Sequence, residues 1–136
     1  MSVLKRNDDG SLTNPIFKSV LSGMTKADVS HPHQCIWDKS GKYLIVPAQG
    51  RKDGFCEVNV FKSNDDGSLT LVSFHMAGKG HEPRHAAFHG NNRFLYVVNE
   101  KGNSASFYLF NDNDGSLLHK QEISTLPESY EGEGQA

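Results

Sequence analysis

The sequence predicts an all-β fold assembled from repeated four-stranded antiparallel sheets, and three observations carry that prediction. The hexapeptide NDDGSL stands at residues 7–12 and again at 64–69, and NDNDGSL follows at 111–117. Apolar and polar residues alternate on both sides of the later copies: FCEVNVFK and LTLVSFHM around the second, SASFYLF and LLHKQEIS around the third. Nowhere does a helical apolar period persist for more than two turns.

Each element has its own justification. Asp-Gly-Ser between alternating segments is a hairpin signal, because glycine accepts the positive φ of a tight turn without steric cost. Gly10, Gly67 and Gly115 lie 57 and 48 residues apart, too far for one hairpin and near the ~40–50 residues of a propeller blade. Upstream of the later hairpins, HPHQCIWDKSGKYLIVPAQG aligns with EPRHAAFHGNNRFLYVVNEK, setting Pro32 against Pro83, Trp37 against Phe88 and Val46 against Val97. PHQCIWD and PRHAAFH read as first strands, KYLIVPA and RFLYVVN as second strands, with KSGK and GNNR as the turns between them. The Asp-Gly hairpin supplies the third and fourth strands. The expectation is a partial β-propeller: half a blade and linker over 1–30, full blades over 31–80 and 81–125, and a trailing loop over 126–136. A closed propeller needs four or more blades, so the chain reads as part of a longer one. Trp37, Phe88, Tyr43 and Phe94 are expected to pack between blades.

Composition narrows the function classes. With 14 basic and 16 acidic residues and a net charge of −2, the 136-residue chain has no basic run for nucleic acid. It contains no 18-residue apolar run for a membrane, and its first ten residues do not resemble a signal peptide. A cytoplasmic location follows as an expectation. Cys35 and Cys56 lack CxxC spacing and sit in apolar-rich stretches, so buried free thiols are expected.

The segments HPHQCIWDKSGKYLIVPAQGRKD, EPRHAAFHGNNRFLYVVNE and ISTLPESYEGEGQA resemble the lactonase propeller family, and the resemblance covers essentially the whole chain. That family holds the bacterial 6-phosphogluconolactonases of the seven-bladed type and the fungal carboxymuconate cyclases. The resemblance implies a central-channel active site, no required metal or cofactor, and chemistry on a small anionic sugar lactone or related acid. It maps a catalytic group onto His33, Arg84 and Glu100. A further arginine of the family would fall beyond Ala136. The chain also departs from the family pattern: VPAQG stands where VPDLG is usual, so Ala48 cannot supply that carboxylate and Asp53 is the nearby acid.

Physical reasoning supports part of this group. His33 and Arg84 occupy equivalent positions just ahead of first strands, which line the channel of a propeller. Arginine matches carboxylate or phosphate and can stabilise the oxyanion formed when a lactone carbonyl is attacked. Histidine can take a proton from water and return it to a leaving alkoxide. Glu100 could orient that histidine, hold substrate hydroxyls or act as the acid. The competing reading gives these side chains only structural hydrogen bonds between blades. His31 and His85 flank the same loops as candidate substrate contacts, again with a structural role as the alternative. A metal site from His31, His33, His81 and His85 lacks cysteine or carboxylate spacing and is not expected. His75, His89 and His119 read as surface or packing residues, and the Asp-Asp-Gly turns lack the closing Glu of a calcium loop. Three functions stay open at this point: lactone hydrolysis, cyclase-type lactone formation, and a non-catalytic propeller segment used for binding or left as an inactive remnant. Self-association through exposed blade faces is a separate expectation.

Overall fold

A computed structural model describes residues 1–25 and 27–132; among them it contains ten β-strands and no helix. Strands β1 (Ser2–Val3) and β2 (Phe17–Lys18) pair as a short sheet. β3 (Ile36–Trp37), β4 (Tyr43–Gln49), β5 (Cys56–Ser63) and β6 (Leu69–Met76) form a four-stranded meander. A second meander is built from β7 (Pro83–Phe88), β8 (Phe94–Asn99), β9 (Ser104–Phe110) and β10 (Leu117–Ser124). Every pairing is antiparallel between neighbours in sequence, the topology of propeller blades.

The repeated turn owes its form to its own side chains. In the first two copies the Gly10 and Gly67 amides donate to the Asn7 and Asn64 carbonyls at 3.0 and 2.9 Å. Both glycines have positive φ, 87° and 81°. Asp9 and Asp66 each accept from the amide and hydroxyl of the serine two residues on. Those bonds hold both carboxyls below the usual aspartate range. The third copy carries one more residue, so Gly115 reaches back to Asn111 at 2.8 Å and closes a wider loop, while Asp114 and Ser116 keep the same partnership.

Alternation along β4 builds two separate cores. Tyr43 and Ile45 join Val58, Val60, Ala86, Leu95, Val97, Tyr108 and Phe110 between the two meanders. Leu44, Val46 and Ala48 face the other way, packing with Leu21, Phe61 and Leu69 and with Met1, Val3 and Phe17 of the N-terminal unit. All seven residues of β4 are buried, and each large aliphatic side chain so placed contributes about 1.5–3 kcal/mol. His75 and His119 stack at 4.9 Å beside buried Tyr108, so these two histidines pack between the meanders.

Three expectations need correction. The first strand anticipated from PHQCIWD is regular only at Ile36–Trp37, beyond which a lone bridge joins Pro32 to Ala48. Pro47 is the reason: its carbonyl accepts from the His33 amide at 2.9 Å, so its backbone faces β3, and proline has no N–H to offer there. At the equivalent position in the second meander stands Val98, and β7 runs a full six residues. Cys35 is exposed rather than buried; both thiols are free and only Cys56 is buried. Trp37 is 50% exposed. It shares a face with its cross-strand partner Leu44, and the short sheet of β1 and β2 on that side leaves it uncovered.

Candidate active site

Antiparallel pairing brings the start of each first strand beside the end of each second strand. His33 and Gln49 therefore meet at one end of the first meander, and Arg84 and Glu100 at the same end of the second. The three residues proposed from sequence form one connected group. Arg84 donates through Nε to Nε2 of His33 at 3.0 Å and pairs through Nη1 with Glu100 Oε1 at 3.4 Å. Glu100 is buried, whereas His33 is exposed and Arg84 partly so.

Glu100 also reaches residues that the sequence reading passed over. Its Oε2 accepts from Gln49 Nε2 at 2.5 Å and pairs with Arg51 Nη2 at 3.4 Å. Arg51 in turn pairs through Nε with Glu82 Oε2 at 3.3 Å. Gln49 and Glu100 are equivalent positions in the two repeats, as are His31 and Glu82. A signal for Gln49 and Glu82 therefore existed in the alignment; Arg51, in the following loop, had none.

His85 lies edge-on to His33 with ring centroids 4.8 Å apart. His31 stands outside the group: its carbonyl accepts from the Gln49 amide, and the residue lines a hollow of about 190 Å³ with Arg51 and Asp53. Its Nδ1 is buried and finds no hydrogen-bond partner among the described residues. Asp53 shares that hollow and does not join Glu100. Among the described residues no three His, Cys, Asp or Glu side chains converge as metal ligands.

Partial loss of water around the ring, then the charge of Arg84 and the neighbouring His85, hold the His33 imidazole below its ordinary value although the residue is exposed overall; Glu100 opposes this. His33 is therefore neutral at neutral pH, with Nε2 unprotonated and facing Arg84. The arrangement offers a neutral base and a guanidinium side by side, with a buried carboxylate fixing the guanidinium.

Comparison with known proteins decides the family. The family model described as lactonase, 7-bladed beta-propeller, matches residues 1–136. The chain belongs to this family. An uncharacterized protein of Lactococcus lactis subsp. cremoris is 37% identical over 132 residues, covering 96% of this chain and 37% of that protein. A 6-phosphogluconolactonase of Bacillus subtilis is 25% identical over 126 residues, covering 90% of this chain and 35% of the relative. Among solved structures, the periplasmic gluconolactonase of Pseudomonas aeruginosa superimposes with a TM-score of 0.82 at 22% identity, over 98% of this chain and 38% of that one. The chain thus spans little more than a third of the length of these lactonase-family relatives, and its sheets are part of a seven-bladed propeller.

Proposed function

We propose that this lactonase-family chain carries a site that hydrolyses the lactone of a small anionic sugar acid, as a carboxylic ester hydrolase. The observation that supports the reading is the continuous contact from His33 through Arg84 to Glu100 across two blades. Relatives named 6-phosphogluconolactonase supply the substrate class.

Without substrate, Arg84 occupies the lone pair of His33 Nε2. A lactone carbonyl that takes over the guanidinium would free that lone pair for a water molecule. His33 then takes a proton from water while the hydroxide oxygen bonds to the carbonyl carbon. The π electrons move onto the carbonyl oxygen, where Arg84 holds the charge. Collapse re-forms the carbonyl and breaks the ring C–O bond, and the proton on His33 passes to the departing alkoxide. The product is the open hydroxy acid. Glu100 touches no reacting atom in this scheme; with Gln49 and Arg51 it fixes the angle of Arg84.

The test is a pH-stat assay on freshly prepared phosphogluconolactone. The expected result is acceleration above spontaneous hydrolysis, with Arg84→Ala lowering kcat/KM by about 10²-fold. No acceleration, under conditions in which the Bacillus subtilis 6-phosphogluconolactonase turns the substrate over, sinks the reading for this chain.

A further inference from the structure

Beside Arg51, the β4–β5 loop and the crossing from β6 to β7 border an open hollow of about 300 Å³. That volume is at the small end of ligand pockets. Most of its wall is apolar, from Met24, Phe55, Cys56, Met76 and Ala77. Its charged wall is predominantly basic: Lys52, Lys79 and Arg51, against the single acid Glu82. Glu82 is already paired with Arg51, and neither lysine makes an ion pair among the described residues.

The backbone around the hollow is strained. Lys52 and Glu82 hold φ of 60° and 53°, and both line it. The other two non-glycine residues with positive φ, among those described, are Asn92 and Asn103, a residue type that tolerates this region. Lysine and glutamate do not, and strain of this kind collects at ligand-binding positions.

We propose that the hollow binds a small amphiphilic anion, a carboxylate on an aromatic or aliphatic body. The body rests on Met24, Phe55 and Met76, and the carboxylate meets Lys52 and Lys79. An inorganic anion alone would leave the apolar wall in contact with water, and a neutral hydrocarbon would leave both ammonium groups unanswered. Methionine side chains on two sides can adapt to bodies of different shape. The inference is independent of the lactone reading, because it uses a separate cavity and requires no turnover. Arg51 is the shared wall, touching both this hollow and Glu100.

The experiment is methyl NMR of the chain with 13C-labelled methionine, the Met24 and Met76 signals being assigned by Met→Leu variants. Three probes are titrated: phenylacetate, acetate and phenylacetamide. Phenylacetate is expected to move both signals saturably, with acetate and phenylacetamide at least tenfold weaker. The variant Lys52→Asn with Lys79→Gln, which keeps a residue suited to positive φ at 52, is expected to weaken phenylacetate at least fivefold. No saturable shift with phenylacetate overturns the proposal. So does acetate or phenylacetamide binding as tightly as phenylacetate, or undiminished binding in the double variant.

Discussion

At His33 the sign of the pKa displacement sets the chemistry. Its folded value lies below the ordinary 6.5, through partial desolvation of the ring first and the Arg84 charge second. The folded chain therefore binds fewer protons at this site than the unfolded one. Its contribution to stability is complete above pH 6.5 and is lost as pH falls through the lowered value. Removing the charge in Arg84→Gln should move the His33 midpoint upward, read as the pH dependence of its imidazole proton signals. An unchanged midpoint would mean that the contact between the two side chains does not persist in solution. Asp38 acts in a different way. It is buried, and burial works against its charge, yet bonds from the Ser40 hydroxyl, the Tyr43 amide, Asn92 and the Ser40 amide together hold its carboxyl below 3.8. The Asn92 bond crosses between the meanders. Asp38→Ala should cost about 2–3 kcal/mol in denaturant unfolding, because several buried donors lose their acceptor. In the unsubstituted chain, stability from this group should be complete above pH 3.8 and fall away as pH drops through its lowered value.

The repeated hairpins show how one local element acquires different energetic roles. Their form was legible in the sequence, since Asp, Gly and Ser satisfy one another within four or five residues and need no distant partner. What each turn touches was not legible. A Cβ on Gly10 would meet nothing within 4 Å, while one on Gly115 would stand 2.6 Å from Tyr43. Tyr43 itself donates its hydroxyl to the Asn113 carbonyl, and Ser73 donates to the Gly115 carbonyl, so this turn is a joint between the meanders. Gly10→Ala should cost about 1–2 kcal/mol, the price of positive φ alone. Gly115→Ala should cost about 1–3 kcal/mol more through the clash. Equal unfolding midpoints for the two variants would contradict this account. The shortened β3 carries a related lesson. Pro47 was visible in KYLIVPA, but its effect depends on which neighbour its missing N–H faces, and only the pairing with His33 shows that.

Across the whole molecule the same face appears once covered and once open. Tyr43, Ile45 and Val60 of the first meander are buried against the second. Their equivalents Phe94, Tyr96 and Phe107 stand on the far face of the second meander, where Tyr96 is 44% exposed. Tyr96 stacks on Phe107 at 5.3 Å and Phe94 meets Phe107 edge-on at 5.5 Å, which forms an apolar patch that the described residues leave partly open. The isolated chain should therefore sediment faster as its concentration rises, and Tyr96→Glu should suppress that dependence without lowering the unfolding midpoint. A sedimentation coefficient independent of concentration would show that the patch does not drive association.

Sequence alone determined the turns and most of the strands, β3 being the exception, because alternation and Asp-Gly chemistry act over a few residues. It also placed His33 and Arg84 at matching positions, since duplicated units put like positions at like ends. Tertiary structure decided the rest: that Glu100 closes onto Arg84, that Gln49 and Arg51 hold it there, and that Trp37 lies bare while Tyr43 is buried. The Arg84–Glu100 pair forms across neighbouring strands of one sheet, whereas the contacts of Gln49 and Arg51 with Glu100 and the burial of Tyr43 depend on how the two sheets lie against each other, which no local pattern encodes.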